Sequence, residues 1–201
     1  MTTREQLDMP LGEAIYSLRA IRRHKPDPIP DDHIRLILDA AIQAPNGGNM
    51  QPWHFLVVTD SDLRAEFAPL YREAWWAKRN DSGWYTPEDL PDQYKSPMQL
   101  ADDIGNSPAL VFVCALAKGG GAANSIVPAV QNLLLAARCL GIGSTITTLH
   151  PSVEDRVHDL FAIPTTAQVV YCLPLGYPQG NFGPVSRKPL DQVSSFNQWI
   201  R

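Results

Sequence analysis

The sequence predicts a mixed fold of the α/β or α+β class, on two observations. Segments with apolar residues three and four apart alternate with short runs rich in aromatic and β-branched residues. At 201 residues, 44% of them hydrophobic, the chain suits one domain with a sizeable core. No internal repeat is visible.

Leu11, Ala14, Ile15 and Leu18 share one helical face and predict the first helix. Pro26, Pro28 and Pro30 then impose an extended connector, since each fixes its own φ and restricts its predecessor. Asp31 or Asp32 is expected to cap the second helix. Its apolar stripe is Ile34, Ile37, Leu38, Ala41 and Ile42, and Pro45 with Gly47-Gly48 should end it. Trp53 to Val58 reads as a strand. Residues 61–100 should be helical at first and irregular later. Their many aromatics suggest a lid or a subunit contact. Residues 109–115 form an apolar strand, expected at the centre of a sheet. Gly119-Gly120-Gly121 reads as a flexible connection. The next helix carries Ile126, Val130, Leu133, Leu134 and Ala137 on one face, with Gly141 as its C-terminal cap. Residues 143–148 are a short strand or turn. Ser152 with Asp155 suggests a capping box for a helix with Val153, Val157, Leu160 and Phe161 inside. Residues 169–173 are the last strong strand. The tail after Gly176 ends in Phe196 and Trp199, aromatics that imply packing, plausibly on another subunit.

The formal charge of −4 argues against general nucleic-acid binding, which wants a basic face. Cys114, Cys139 and Cys172 form no C-x-x-C pair and an odd count, so they read as buried small hydrophobes in a reducing compartment. The polar N-terminus has no apolar signal region, and the run 109–117 is too short for a bilayer. The expectation is a soluble, cytoplasmic protein with no membrane partner. His150 and His158 have no evident third ligand, so no metal site is expected. Gly141-x-Gly143 lacks the third glycine of a dinucleotide fingerprint, and no Gly-x-Ser-x-Gly elbow occurs.

Two cationic segments lie at opposite ends of the chain. Arg19, Arg22 and Arg23 follow the first helix; Arg187 and Lys188 lie in the tail. A phosphate monoester carries between one and two negative charges near neutrality, and arginine meets it with a planar fork of donors. Between the two segments runs Ala44-Pro45-Asn46-Gly47-Gly48-Asn49-Met50-Gln51-Pro52-Trp53. Its glycines allow close approach of backbone to a flat ring. The amides of Asn46, Asn49 and Gln51 both donate and accept, as a flavin ring edge demands. The combination suits flavin mononucleotide (FMN). Each part alone also has a plainer reading, a solvated charged face or a helix-stopping turn.

Taken together and in order, these motifs resemble the nitroreductase family of FMN-dependent, NAD(P)H-linked oxidoreductases. The family pattern runs Arg-Arg-Ser-x-Arg, then Ala-Pro-Ser-x-x-Asn-x-Gln-Pro-Trp, then a C-terminal Arg-Lys-Pro. Here it stands as Leu18-Arg19-Ala20-Ile21-Arg22, the block from Ala44 to Trp53, and Gly176-Tyr177-Pro178 followed by Arg187-Lys188-Pro189-Leu190. The match extends from about Leu11 to Asp191. The resemblance implies an α+β fold, with a mostly antiparallel central sheet of four or five strands flanked by helices. It implies an intertwined homodimer with FMN at the subunit interface. It implies a single domain over residues 1–201, with a lid or insert at about 61–100 and a dimerisation tail at about 178–201. By position, Arg19, Ala20 and Arg22 contact FMN, and Arg187 and Lys188 hold its phosphate. Pro45, Asn46, Gly47, Asn49 and Gln51 line the ring, and Ile146, Thr147 and Thr148 pass its other side. Leu18 and Ala20 depart from the pattern, removing one cation and one hydroxyl; Arg23 is the candidate replacement. Asn46 stands where serine is common and keeps a polar side chain.

The activity so implied is ping-pong transfer of hydride from NAD(P)H, through flavin N5, to an electron-poor acceptor such as a nitroaromatic or quinone. No catalytic side chain is required, and Arg22 near N1 acts as a tuning charge. Trp75, Trp76, Trp84 and Tyr85 are the candidates for a substrate lid, with dimer packing as their alternative. A dehalogenating branch of the family grips amino-acid substrates with Glu, Tyr and Lys from the lid. Glu73, Lys78 and Tyr85 offer those types without a matching spacing. A dehydrogenase branch and a flavin-sequestering protein with little turnover are the further alternatives.

Overall fold

Sheet order and side-chain alternation organise the molecule. The structure is a computed structural model that describes residues 4–199; the outermost residues of the expected domain, 1–3 and 200–201, lie outside the described residues. Its strands are β1 (Trp53–Val58), β2 (Ala109–Ala115), β3 (Gly143–Ser144) and β4 (Gln168–Gly176). They are ordered β1-β2-β4-β3 and every pairing is antiparallel. The class is therefore α+β, as the resemblance implied.

All of β2 is buried, which explains its unbroken apolar run. Its side chains alternate between two cores. Ala109, Val111 and Val113 join the core under α2 (Asp31–Ala41) and α5 (Gly120–Cys139). Leu110, Phe112 and Cys114 join the core under α3 (Ser61–Asn80), α4 (Lys95–Asp103) and α6 (Glu154–Phe161). Phe67 of α3 meets Phe112 edge-on, with ring centroids 4.9 Å apart. Burial of a phenylalanine of this kind contributes about 1.5–3 kcal/mol.

Helix boundaries follow from caps. Asp60 accepts from the N–H groups of Asp62 and Leu63, both at 2.9 Å, and starts α3. The end of α5 is a Schellman motif centred on Gly141, whose φ is 71°. The Gly141 N–H donates to Arg138 O at 3.0 Å and the Ile142 N–H to Ala137 O at 2.8 Å, so two terminal carbonyls find partners.

Several local expectations are corrected. Pro30, not an aspartate, occupies the cap of α2. Asp31 and Asp32 sit in its first turn, where carboxylates complement the helix dipole. Ile42 falls past the helix end and is exposed. The Gly119–Gly121 connection is shorter than expected, because α5 already begins at Gly120. Ser152 and Asp155 form no capping box. A 3-10 turn, Pro151–Val153, precedes α6, and the His150 ring accepts the Ser152 N–H at 3.2 Å instead. A helix, α4, forms within the expected irregular stretch. The first helix, α1 (Leu11–Ser17), forms, but only Ala14 of its stripe is buried. Leu11 is 68% exposed, and Leu18 leaves the helix in an extended conformation. Among the described residues, no helix is long and apolar enough to cross a membrane.

Candidate functional site

Two glycines let the first cationic segment cross the end of the sheet. The Ile21 N–H donates to Ser144 O at 2.9 Å, the Lys25 N–H to Tyr177 O at 2.7 Å and the Gln179 N–H to Arg23 O at 3.1 Å. A Cβ placed on Gly143 would lie 2.7 Å from the Cβ of Ile21. One placed on Gly176 would lie 2.6 Å from the Cβ of His24. Real Cβ atoms do not approach so closely, so glycine at these two positions is what permits the crossing. His24 is 8% exposed, and its Nδ1 lies 3.0 Å from Ser107 Oγ. Burial lowers its pKa to about 4.

This anchoring presents Arg22 half-buried, with Arg19, Ala20 and Arg23 exposed beside it. Among the described residues, no carboxylate lies within ion-pair distance of Arg19, Arg22 or Arg23. Burial lowers the pKa of Arg22, Tyr71 acts against that shift, and Arg19 adds to it. A half-buried, uncompensated cation is a binding site for negative charge.

The glycine-rich block is a strained turn. Gly48, Asn49 and Gln51 have φ of 58°, 53° and 48°. Glycine adopts this region freely, asparagine at small cost, and glutamine with more strain. Such strain clusters at ligand sites. The Asn46 side chain closes the turn: its Oδ1 accepts the Gln51 N–H at 2.8 Å and its Nδ2 donates to Ala44 O at 3.3 Å. Its amide therefore shapes the loop and keeps one N–H and one lone pair for a further partner. Pro45 and Gly47 are exposed, and the Gly47 N–H points to Ser125 Oγ of α5 at 3.5 Å. Asn49 and Gln51 are exposed, and their amides make no hydrogen bond among the described residues.

Residues 146–148 run as a wall along β4. Thr147 bridges Cys172 through both backbone bonds, at 3.1 and 2.9 Å, and its hydroxyl donates to Cys172 O at 2.7 Å. Ile146 and Thr148 are exposed. Lys78 of α3 reaches across and donates to both the carbonyl and the hydroxyl of Thr148. Burial, with Arg79 nearby, lowers its pKa to about 8. A cavity of about 240 Å³ opens beside this wall, lined in part by Thr148, His150 and Glu154.

The aromatic lid candidates divide. Trp75 is buried and meets Trp76 edge-on at 5.0 Å, with Arg79 stacked over the Trp75 ring at 4.8 Å. Trp84 packs on Tyr94 at 5.0 Å. Tyr85 alone of the four is exposed, at 67%. Glu73 is bound by Arg156 and Lys78 by Thr148, so no contact joins Glu73, Lys78 and Tyr85 into one grip. Arg187 and Lys188 are exposed, and among the described residues the guanidinium of Arg187 donates only to Ser186 O at 2.9 Å. Within one chain, no recorded bond joins them to Arg19 or Arg22. Cys114 and Cys172 are buried as expected, with burial raising Cys114 to about 11, but Cys139 is only half-buried. No group of residues suited to a metal occurs among the described residues. Sequence reasoning missed the reach of Lys78 to Thr148.

The α+β fold carries the anchored arginine segment at the end of the sheet where Ala109, Gly176 and Gly143 meet, and the strained glycine-rich turn at the opposite end, beside Trp53 and Ala115. The profile of the nitroreductase family matches residues 15–177, and the chain belongs to that family. A protein of Archaeoglobus fulgidus, provisionally named NADH dehydrogenase/NAD(P)H nitroreductase, is 33% identical over 168 residues, covering 82% of this chain and 83% of its own. The iodotyrosine deiodinase 1 of Rattus norvegicus is 27% identical over 196 residues, covering 90% of this chain and 67% of its own. Among solved structures, iodotyrosine deiodinase bound to FMN and 3-iodo-L-tyrosine superposes with a TM-score of 0.77 at 23% identity, over 94% of this chain and 100% of that one. The NADPH:FMN oxidoreductase of Vibrio harveyi, complexed with NAD+, has a TM-score of 0.71 at 21% identity, over 94% of this chain and 77% of that one. These two likenesses establish the fold.

Proposed function

We propose that this protein is an FMN-dependent oxidoreductase that acts as a homodimer and reduces an electron-poor acceptor with hydride from NAD(P)H. The observation that carries the reading is the half-buried Arg22, with no carboxylate at ion-pair distance among the described residues, on a segment tied to the end of the sheet. The strained turn lies at the other end of the sheet and would reach the same cofactor from the second protomer. Those donors suit FMN: cations for the phosphate and ring edge, free amides on Asn49 and Gln51, and exposed backbone at Gly47 and Gly48. Bound FMN would supply hydride transfer at N5, taking hydride from the nicotinamide and passing it to the acceptor in turn. Arg22 would stabilise negative charge on the ring, Asn49 and Gln51 of the second protomer would orient it, and Ile146 would cover it from water. Arg19, with Arg23 beside it, and Arg187 with Lys188, reached from the tail of the second protomer, would hold the phosphate.

The dimer is supported by apolar surface that one chain leaves uncovered. Leu11, Ile15 and Tyr16 of α1 are exposed, as are Phe196 at 83% and Trp199 at 85% on the tail. A second protomer would bury these faces. In this reading residues 1–201 form one domain, with residues 61–100 over the site and the tail from about 178 reaching the partner.

Anaerobic mixing of the purified protein with NADPH, then NADH, tests the proposal. Rapid bleaching of the oxidised-flavin absorbance is expected. A yellow protein that stays yellow with both donors would instead favour flavin storage. The deiodinase relatives support a second reading, tested by halide release from 3-iodo-L-tyrosine after chemical reduction of the flavin.

A further inference from the structure

The tail is held twice by its own chain before it becomes free. The first hold follows β4 directly, where Pro178 bridges His24 in the antiparallel sense. Beside it the Gln179 N–H donates to Arg23 O at 3.1 Å, and the Gln179 side chain donates to His24 O at 2.8 Å. Gly180 and Asn181 are then exposed. The second hold is at Phe182 and Gly183, where the Gly183 N–H donates to Ser17 O at the end of α1, at 3.2 Å. Among the described residues, the backbone of 184–188 makes no hydrogen bond to another segment.

Arg138 of α5 closes the second hold. Its side chain is only 12% exposed. The guanidinium carbon lies 4.2 Å from the centre of the Phe182 ring. Its Nε donates to Ser17 Oγ at 2.9 Å, and a terminal nitrogen lies 3.8 Å from a carboxylate oxygen of Glu13. The Ser17 hydroxyl gives its one hydrogen to Glu13 O at 2.6 Å, so toward Arg138 it accepts. The face of the guanidinium meets the ring while its edge meets α1, a combination that the point charge of a lysine does not offer. One residue thereby fixes both the end of α1, whose exposed face is Leu11, Ile15 and Tyr16, and the place where the tail departs.

We propose that Arg138 and Phe182 form a clamp that positions the tail cations, Arg187 and Lys188, for FMN retention. The proposal rests on the FMN and dimer reading given above. Arg187 is four residues beyond Gly183, so its backbone lies within about 14 Å of the clamp. With the clamp open the last hold is Gln179, and the tether doubles to eight residues. The effective concentration of a tethered group falls roughly as the −3/2 power of tether length, so doubling lowers it about threefold.

The test is the dissociation constant of FMN, read from free-flavin fluorescence as the loaded protein is diluted. Phe182→Ala should raise it about threefold, with the loaded protein reduced at its usual rate. Phe182→Tyr keeps the ring and should keep the wild-type value. Arg138→Lys keeps the charge without the combined contacts and should follow Phe182→Ala. In a background carrying both Arg187→Ala and Lys188→Ala, Phe182→Ala should change nothing further, because the clamp acts only through those cations. An equal loss in both backgrounds would make the contact merely structural and overturn the proposal. Should Phe182→Ala fail to fold, Arg138→Lys decides alone. A wild-type dissociation constant in the loaded variants would overturn the clamp and leave the FMN reading standing. A wild type that takes up no FMN would overturn both.

Discussion

Arg22 and Arg187 are both expected at one cofactor, and the chain holds them in opposite ways. Arg22 lies half-buried on a segment tied to the sheet end by three backbone hydrogen bonds and fitted against Gly143 and Gly176. Arg187 lies exposed on a tail, and its guanidinium reaches only the carbonyl next to it. The first segment has lost its freedom on folding, so a ligand meets donors already in place. The second must be ordered by whatever covers it, which in the proposed dimer is the other protomer. A composition-based reading would rank the two segments as equals. In the proposed reading this difference in anchoring divides the tasks, tuning for one and retention for the other.

The largest expected effect loosens the anchored segment. Burial holds His24 at about 4 against an ordinary 6.5. As pH falls below 6.5 the unfolded chain takes up the proton first, so this contribution is present above pH 6.5 and is lost as pH drops through about 4. By linkage it amounts to about 3 kcal/mol. Urea unfolding at pH 7 and at pH 4 should show it, and His24→Phe should flatten the acid limb. An equally steep limb in that variant would assign the loss to other groups.

Next in size is Gly143→Ala. The added carbon meets the Cβ of Ile21, which cannot swing aside, so overpacking of about 2 kcal/mol is expected. Gly180 of the tail has open space around it, and Gly180→Ala should cost less than about 0.5 kcal/mol. Equal melting temperatures for the two variants would break the contrast between a fitted and a free segment.

The smallest effect separates the arginines. Arg187→Ala should weaken FMN retention about tenfold, about 1.4 kcal/mol, while the loaded protein is reduced at its usual rate. Arg22→Ala should retain some FMN and be reduced more slowly. A full flavin load in the first, or unchanged reduction kinetics in the second, would remove the assigned role.

Legibility differed with the range of the interaction. The alternating helices and strands, the central place of β2 and the cap at Gly141 follow from patterns within one segment. Caps failed where the neighbouring turn intervened: Pro30 took the place expected for Asp31 or Asp32, and His150 that expected for Ser152. The site was legible as a set of residue types in order. The use of Asn46 to close its own turn was not, because that depends on the left-handed backbone at Gln51. That Trp75 and Trp76 meet edge-on, with Arg79 stacked on Trp75, was likewise not legible from composition.

The sequence by itself determined the family, the α+β character and the residue types available for an anionic ring cofactor, since these are properties of local pattern and order. Only the tertiary structure decided which arginine is anchored without a carboxylate partner among the described residues, which amides are free, and that Lys78 of α3 grips Thr148. Those facts depend on contacts between segments far apart in the chain, where close approach at Gly143 and Gly176 and the reach of a lysine have no local signature.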